Sequence, residues 1–366
     1  MISIKAAVAR TKNGPFSIEQ LSLDEPRPDE VLIRTVASGV CHTDLLVRDQ
    51  QMPPGPPAVL GHEASGIVES VGSAVTTVAA GDAVVVTPTT CGQCRNCRNA
   101  HPMHCEMFMP LNFGGRRADG STAYRDKSGA EVNGHFFGQS SFATRMLANE
   151  RALVKVSDQV PLELLGPLCC GIQTGAGAVL NTLAPPAGSS LAVFGLGGVG
   201  LSAIMAANLT GCAPVIAVDL HRSRLDMALE LGATHVIDAT ESNVVDQITG
   251  LTGGGADFAL DAVGIPATAR NAFSVLNIGG TAAVVGAGGV GQSVPIDLIQ
   301  LLLGRTVKGS LEGDGVPHLF IPKLIEFHLA GRFPFDKLIQ KYDSTEINQA
   351  VFDSESGHTI KPVIVY

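Results

Sequence analysis

Apolar and polar positions follow two different patterns along the chain. Up to about residue 160, short apolar stretches alternate with turn residues, which predicts strands at 30–36, 66–71 and 82–87. The segment from about 112 to 135 is rich in Gly, Arg and Asp and predicts a loop. This first part is therefore expected to form a mostly-β, barrel-like unit.

From about residue 190, apolar runs alternate with helical patterns, which is typical of βαβ units and a parallel sheet. Helices are predicted at 201–209 and 223–231, between strands at 190–194, 215–218, 235–237, 258–260 and 281–285. A helix near 320–329 and a strand at 362–366 end the chain and are expected to return to the first unit. The predicted domains are 1–171, 172–311 and the returning segment 312–366.

A glycine motif joins the first predicted strand of the second part to its first helix. It reads Gly195-Leu196-Gly197-Gly198-Val199-Gly200. Gly195 permits the tight turn, Gly197 lets the backbone approach a pyrophosphate, and Gly200 allows the helix to pack on the strand. Because strand, turn and helix occur in the required order, the motif predicts a dinucleotide site rather than an unrelated glycine-rich turn.

An acidic residue follows the second strand of this unit. Asp219 lies nineteen residues past Gly200, where a carboxylate accepts from both ribose hydroxyls and repels a 2′-phosphate. The sequence therefore favours NAD over NADP. His221, Arg222 and Arg224 follow closely and could reach the adenosine or a phosphate, and Arg222 leaves some NADP use open.

Composition narrows the class of protein. The chain has 366 residues, 45% of them hydrophobic and 16% charged, which is enough for two packed domains. A net charge of −9 argues against nucleic acid or an anionic membrane as partner, so a small-molecule substrate is expected. The sequence has no run of eighteen apolar residues and no secretory signal pattern at its start, so we expect a cytoplasmic protein.

Eight cysteines occur, and four of them lie within fifteen residues: Cys91, Cys94, Cys97 and Cys105. Four thiolates on one loop suit a closed, tetrahedral structural zinc site. An iron–sulfur cluster is the alternative, but there the next cysteine usually follows after three residues with a Pro behind it. The spacing therefore favours zinc.

A second set of candidate ligands is scattered: Cys41, His62 and the neighbouring pair Cys169 and Cys170. Taken alone, His62 or Cys170 is more often a packed core residue than a ligand. Together, two thiols and one imidazole leave the fourth tetrahedral position open, as a catalytic zinc requires.

These motifs together resemble the zinc-dependent medium-chain alcohol dehydrogenases along nearly the whole chain. The resemblance rests on the string 61–66 (GHEASG), the four-cysteine loop, the string 170–175 (CGIQTG) and the glycine motif. It implies an α/β fold with a GroES-like, mostly-β catalytic domain and a doubly wound Rossmann domain that binds NAD. It also implies two zinc ions per chain, one catalytic and one structural.

The resemblance assigns roles residue by residue. Cys41, His62 and Cys170 match the catalytic zinc ligands, and Cys170 is chosen over Cys169 because it begins the matching string. Glu63 matches the acid beside the metal, and Thr43 the hydroxyl that relays the alcohol proton. The implied coenzyme contacts are His42, Thr174, Gly195, Gly197, Gly198, Val199, Gly200, Asp219, Arg224, Val263 and Lys361, with Thr174 against the nicotinamide and Lys361 on the pyrophosphate.

Two departures place the chain within the family. His42 stands where the liver-type enzymes carry an arginine, and Leu46 stands where they carry the histidine that ends the proton relay. At both positions, and around 309–314, the chain resembles the bacterial aryl-alcohol dehydrogenases, which include the benzyl alcohol dehydrogenases. The proton is then expected to pass from Thr43 through the coenzyme ribose to His42 or to water. Alternatively, His42 contacts a phosphate and has no proton role.

The expected activity is reversible oxidation of a primary aromatic or allylic alcohol to the aldehyde with NAD. A glutathione-dependent formaldehyde dehydrogenase is the alternative enzyme, since it shares both zinc sites. A nucleotide-binding relative without catalysis, or a structural protein on the same fold, is the alternative outside enzymes. The family further implies a homodimer or homotetramer.

Overall fold

The computed structural model describes residues 1–240, 243–289 and 291–366. Their contacts divide the chain into two compact units. The first comprises 1–170, 316–325 and 336–366, and the second comprises 171–315 and 326–335.

Two sheets form the first unit. The five-stranded sheet has the order β4-β1-β2-β7-β8, with β1 Ile2–Ala9, β2 Phe16–Leu23, β4 Ala58–Val59, β7 Tyr124–Arg125 and β8 Glu131–Val132. The larger sheet has the order β10-β6-β5-β3-β18-β17, and β9 also pairs with β3. Its strands are β3 Glu30–Gly39, β5 Glu63–Val71, β6 Ala83–Val86, β9 Arg145–Asn149, β10 Leu153–Lys155, β17 Ile339–Asp343 and β18 Lys361–Val365.

The helices of the first unit are short. They are α1 His42–Arg48, α2 Arg95–Arg98, α3 Phe108–Phe113, α4 Leu162–Leu165 and α12 Ile347–Glu355. Apolar side chains of strands and helices meet in shared cores, one of which collects Phe16, Phe108, Phe113, Phe136 and Phe142. The last strand, β18, pairs antiparallel with β3 and parallel with β17, so it lies inside the larger sheet.

A six-stranded parallel sheet forms the centre of the second unit, in the order β13-β12-β11-β14-β15-β16. Its strands are β11 Leu191–Phe194, β12 Val215–Asp219, β13 His235–Asp238, β14 Ala256–Asp261, β15 Leu276–Val284 and β16 Thr306–Gly309. The helices are α5 Gly171–Gly177, α6 Gly198–Thr210, α7 Arg222–Glu230, α8 Val244–Thr252, α9 Pro266–Ser274 and α10 Leu298–Leu302. This strand order, 3-2-1-4-5-6, is that of the Rossmann fold, which confirms the predicted architecture.

Two features differ from the sequence-based expectation. The segment 112–135, predicted as a loop, contains the hairpin strands β7 and β8. Residues 326–335, predicted to return to the first domain, belong by contacts to the second unit. The division falls inside the helix α11 Pro317–Leu329, shortly after its internal Pro322.

Among the described residues, no single helix combines the length and apolar character needed to cross a membrane. Two consecutive segments, Leu162–Cys169 and Gly171–Leu183, reach that length and composition when they are counted together, but the chain bends by 56° between them.

Candidate functional site

The scattered ligand candidates meet in the first unit. Cys41 precedes α1, His62 precedes β5, and Cys170 ends the first long segment of this unit. The ligand atoms of Cys41, His62, Glu63 and Cys170 all lie within 4.8 Å of one another. The structure therefore brings together the three residues predicted as catalytic zinc ligands, and it adds the carboxylate of Glu63. Cys169 points elsewhere, with its Sγ 3.9 Å from the carbonyl oxygen of Ala64.

The buried carboxylate of Asp44 orients His62. The Asp44 Oδ1 lies 3.0 Å from the His62 Nδ1 and also accepts a hydrogen bond from the backbone N–H of Gly61 at 3.0 Å. Its Oδ2 accepts from the backbone N–H of Cys41 at 3.0 Å. Because this carboxylate engages Nδ1, the Nε2 of His62 is the atom presented to a ligand. Sequence reasoning missed Asp44, although a Cys-x-x-Asp capping box at the start of α1 was available as a signal.

Aromatic rings and an amide enclose the same histidine. The ring of Phe137 stacks on His62 at a centroid distance of 4.4 Å, and Phe136 meets it edge-on at 5.3 Å. The side chain of Gln139 donates to the carbonyl oxygens of His62 and Val86 at 3.1 and 3.0 Å. All of these residues are buried, so water is largely kept from this side of the ligand cluster.

The donor set fits a zinc ion. His62 Nε2 is buried and has no hydrogen-bond partner in the described part of the chain, which leaves it available to a metal. The neighbouring Cys170 sulfur and His62 hold the pKa of the Cys41 thiol well below its usual range, although burial opposes this. Burial lowers the pKa of His62, but Asp44 and Cys41 outweigh burial and raise it. Two sulfurs and one imidazole nitrogen are a ligand set typical of catalytic zinc.

Glu63 forms a buried ion pair with Lys361. The Lys361 Nζ donates to both carboxylate oxygens at 2.8 and 3.0 Å and to the carbonyl oxygen of Val40 at 3.2 Å. Burial lowers the pKa of Lys361, but Glu63 and Cys41 outweigh it and raise the pKa. Gly39 gives the carboxylate its space, because a Cβ there would lie only 2.0 Å from Glu63 Oε2.

This position of Lys361 differs from the pyrophosphate contact that the resemblance implies. Lys361 is only 5% exposed, and its ammonium group is engaged by Glu63 and Val40. The structure therefore gives Lys361 the part of a counter-ion for Glu63, because a buried charge is stable only when it is paired.

The predicted proton-relay residues lie at the start of α1. The Thr43 Oγ1 is 3.8 Å from the Cys41 Sγ, so the hydroxyl lies beside the ligand cluster. His42 is exposed to solvent, whereas Leu46 is buried. The start of this helix thus carries one hydroxyl near the metal ligands and one imidazole in contact with water.

The four cysteines of the 91–105 loop also converge, with all sulfur atoms within 4.8 Å of one another. Cys91 Sγ and Cys97 Sγ are 3.9 Å apart, close to the roughly 3.8 Å edge of a tetrahedron with zinc–sulfur bonds of about 2.3 Å. Backbone N–H groups of Cys91 and Met107 donate to Cys105 Sγ at 3.3 and 3.4 Å. The backbone N–H groups of Cys97 and Glu106 lower the pKa of Cys94 to about 6. These thiolate-stabilising contacts fit a closed metal site.

The glycine motif has the geometry of a phosphate-binding turn. Gly195 has φ of +86°, which a residue with a side chain rarely adopts. A Cβ on Gly200 would lie 1.8 Å from the carbonyl oxygen of Gly195, so only glycine permits this helix–turn packing. A Cβ on Gly197 would meet no described atom within 4 Å, which leaves open space beside the backbone. Gly198 and Val199 begin α6, whose amino terminus favours an anion.

Asp219 connects this turn to the end of β12. Its Oδ2 accepts from the backbone N–H of Leu196 at 2.6 Å, and its Oδ1 accepts from that of His221 at 2.8 Å. Arg224 lies 3.9 Å from the same carboxylate, and its Nε is buried without a hydrogen-bond partner in the described structure. Arg222 instead pairs with Asp226 at 2.9 Å on the exposed face of α7.

Two further predicted coenzyme residues lie in the second unit. Val263 packs against the glycine turn. Its Cγ2 lies so close to Gly195 that a Cβ built on Gly195 would be only 2.5 Å from it. Thr174 lies in α5, which packs against the start of α6 so closely that a Cβ on Gly175 would be 1.9 Å from the carbonyl oxygen of Val199. Thr174 Oγ1 donates to the buried carboxylate of Glu312 at 3.4 Å. Glu312 was not singled out from the sequence, because nothing in its local pattern indicates this contact.

Comparisons with known proteins agree with this geometry. Residues 27–158 match the family model of the alcohol dehydrogenase GroES-like domain, and residues 198–328 match that of zinc-binding dehydrogenases. Geraniol dehydrogenase from Castellaniella defragrans is 47% identical, with coverage of 100% of this chain and 98% of the relative.

Solved structures give the same result. An alcohol dehydrogenase zinc-binding domain protein from Burkholderia ambifaria is 54% identical with a TM-score of 0.97, covering 100% of this chain and 99% of that one. Benzyl alcohol dehydrogenase from Acinetobacter calcoaceticus is 46% identical with a TM-score of 0.96 over the same shares of the two chains. The GroES-like and Rossmann architecture expected from the sequence is thereby confirmed.

Proposed function

Because the chain belongs to the family of zinc-dependent alcohol dehydrogenases, we propose that it oxidises primary aromatic and allylic alcohols to aldehydes, reversibly, with NAD. The observation that carries this proposal is the cluster of Cys41, His62 and Cys170, with His62 Nε2 buried and unpartnered in the described structure. A protein that only binds nucleotide has no need of a metal site with an open position.

Each unit contributes one part of the chemistry. When bound, zinc supplies a Lewis acid that lowers the pKa of the alcohol, and NAD supplies the hydride acceptor. Cys41, His62 and Cys170 hold the catalytic ion, and Cys91, Cys94, Cys97 and Cys105 hold a structural one. Asp44 fixes the ring of His62, while Lys361 neutralises Glu63 beside the ligands.

The proton of the alcohol leaves through the start of α1. The Thr43 hydroxyl, 3.8 Å from Cys41 Sγ, accepts the alcohol proton and at the same time gives up its own proton. His42 is exposed and passes it to water, since the buried Leu46 has no group that could accept it. Replacing His42 with Ala should change the pH profile of turnover, and an unchanged profile would assign the terminal step to water.

NAD is the proposed coenzyme because the Asp219 carboxylate stands at the end of β12, where a 2′-phosphate would meet its charge. Both of its oxygens are already held by backbone N–H groups, so the carboxylate cannot easily turn away. The Asp219→Ala variant should lose its preference for NAD over NADP, with Arg224 then available to a 2′-phosphate. An unchanged ratio of the two kcat/KM values would contradict this role of Asp219.

The proposed substrate class rests on the relatives. One relative is named for geraniol, an allylic alcohol, and another for benzyl alcohol, an aromatic one.

Initial rates decide the proposal. Purified, zinc-loaded protein is assayed with NAD or NADP and with benzyl alcohol, cinnamyl alcohol, geraniol, ethanol, and formaldehyde plus glutathione. We expect fast NAD reduction with the first three alcohols and little with ethanol. Activity only in the presence of glutathione would favour a formaldehyde dehydrogenase, and no activity with any substrate would leave a nucleotide-binding protein. The Cys170→Ser variant serves as the inactive control.

We further propose that the chain forms a homodimer or homotetramer. Helix α10 exposes Leu298 and Leu302 to 76% and 83%, and β16 lies at the edge of the six-stranded sheet. Exposed apolar side chains next to an unpaired strand edge are typical of a surface that another subunit covers. Light scattering should give two or four chains, and Leu302→Glu should lower that number.

A further inference from the structure

A cavity of about 420 Å³ lies in the first unit beside the four-cysteine loop. Its walls include parts of that loop, helix α3, strand β9 and the segment 116–119. The volume is within the range of small-molecule pockets in proteins. The catalytic ligand residues Cys41, His62 and Cys170 do not line it, so the cavity is separate from the catalytic metal cluster.

Charged side chains of both signs line the cavity: Arg27, Arg116, Arg117, Arg151, Asp29, Glu30 and Asp119. All three acids already accept from protein donors. Glu30 accepts from Arg117 at 2.6 and 2.8 Å. Asp119 accepts from Arg27 at 2.8 Å. Asp29 accepts from the side-chain amide of Asn149 at 2.7 Å. Arginines therefore outnumber acids on the wall, and the acids are engaged within the protein.

Arg151 has donors to spare. Its side chain runs along the four-cysteine loop, since a Cβ built on Gly92 would be 3.2 Å from Arg151 Cδ. Its neighbour Glu150 is held instead by Thr76 and Thr77 at 2.9 and 3.1 Å. The guanidinium of Arg151 makes no hydrogen bond or ion pair with a described residue. A guanidinium with unused N–H groups binds a carboxylate through two parallel hydrogen bonds.

A buried imidazole supplies a second donor. His135 is only 6% exposed, and its Nε2 accepts from the backbone N–H of Ala123 at 3.3 Å. Burial and the charge of Arg117 lower the pKa of His135 to about 4, so the ring is neutral at pH 7 and carries its proton on Nδ1. Nδ1 has no hydrogen-bond partner among the described residues and is not fully enclosed by them. Because His135 lines the cavity, this N–H is open to a ligand there.

Apolar side chains form another part of the wall. Met107 and Leu111 come from the end of the four-cysteine loop and from α3, and Leu147 comes from β9. Met107 is 46% exposed, so a ligand in the cavity would cover apolar surface that otherwise faces water. An inorganic anion would use the donors but leave this surface uncovered. The wall as a whole suits a ligand that carries both an anionic group and an apolar part.

We propose that this cavity binds a small organic carboxylate. Arg151 pairs with the charge of the ligand, and the Nδ1–H of His135 donates to one of its oxygens. Met107 and Leu111 cover its apolar part. The inference goes beyond the proposed function, which gives this cavity no role.

Benzoate is the probe, because it combines a carboxylate with an apolar ring. Its binding to the purified, zinc-loaded protein is titrated by saturation-transfer NMR. Arg151→Met removes the guanidinium at an exposed position and should raise the Kd about tenfold or more. His135→Phe removes the Nδ1–H and should raise it about two- to tenfold. Absence of saturable binding in wild type, or a wild-type Kd in Arg151→Met, would overturn the proposal.

The matched control is Arg98→Met. Arg98 is another exposed arginine of the four-cysteine loop, but it does not line this cavity, so its loss should leave the Kd unchanged. Cys170→Ser should also keep the wild-type Kd, and loss of binding in that variant would place benzoate at the catalytic metal and contradict the proposal. Inorganic phosphate should not displace benzoate, and displacement at equal concentration would overturn the assignment of an organic carboxylate.

Discussion

Replacing Asp44 with Asn should selectively weaken the catalytic metal site. The carboxylate makes three contacts of 3.0 Å, with His62 Nδ1 and the backbone N–H of Gly61 on Oδ1, and with the N–H of Cys41 on Oδ2. Asparagine has only one oxygen. Whichever way its amide turns, an NH₂ group faces a donor on one side, and the negative charge that makes His62 a stronger ligand is lost.

The magnitude follows from these contacts. Loss of a carboxylate that supports a metal-binding histidine costs about 10- to 100-fold in metal affinity, which is about 1.4 to 2.7 kcal/mol. A buried N–H left without an acceptor adds about 1 to 3 kcal/mol of destabilisation to the metal-free protein. The four-cysteine site is built from other residues and should keep its ion.

The assay is competition for zinc with a coloured chelator, combined with metal analysis and melting of the metal-free protein. Wild type should release two ions per chain in two steps, and Asp44→Asn should release one of them at a much lower chelator concentration. Asp49→Asn is the matched control, because Asp49 directly follows the same helix and its carboxylate pairs only with Arg48 among the contacts described. Wild-type zinc affinity in Asp44→Asn would refute the reasoning.

Three further outcomes are expected. Gly200→Ala should lower the melting temperature, because its Cβ would be 1.8 Å from a carbonyl oxygen, whereas Gly197→Ala should melt normally but bind NADH poorly. Arg117→Met should lower the free energy of unfolding, measured with urea, by about 3 to 5 kcal/mol. Arg117 contacts the buried carboxylate of Glu30 at 2.6 Å, and the substitution leaves that charge without its partner. Burial and the charge of Arg117 lower the pKa of His135 to about 4, so wild type should lose stability as pH falls from about 6.5 to 4, and His135→Asn should lose less.

The direction of the His135 effect follows from proton binding. Between pH 4 and about 6.5 the unfolded chain binds a proton that the folded chain does not, so acid favours unfolding. The stability is fully present above about pH 6.5 and is lost as pH approaches the folded value. Equal pH dependence in wild type and His135→Asn would contradict a neutral, buried His135.

Sequence alone determined the features that depend on residues close together in the chain. The glycine turn before α6 and the four-cysteine loop could be recognised because the geometry of each is set within one short segment. Five of the six strands of the Rossmann sheet were also predictable, since buried parallel strands are continuous apolar runs. The sixth, the exposed edge strand β16, lacks such a run and was not predicted. Resemblance added the set of Cys41, His62 and Cys170, whose members lie too far apart for spacing alone to relate them.

Only the tertiary structure decided which partners these residues have. Lys361 reaches Glu63 across 298 positions, and Glu312 reaches Thr174 across 138. No period or spacing in the sequence encodes such pairs, because they depend on strand pairing and helix packing that join distant segments. The same holds for Lys361: the resemblance implies a pyrophosphate contact for it, and only the fold shows that its ammonium group meets the carboxylate of Glu63.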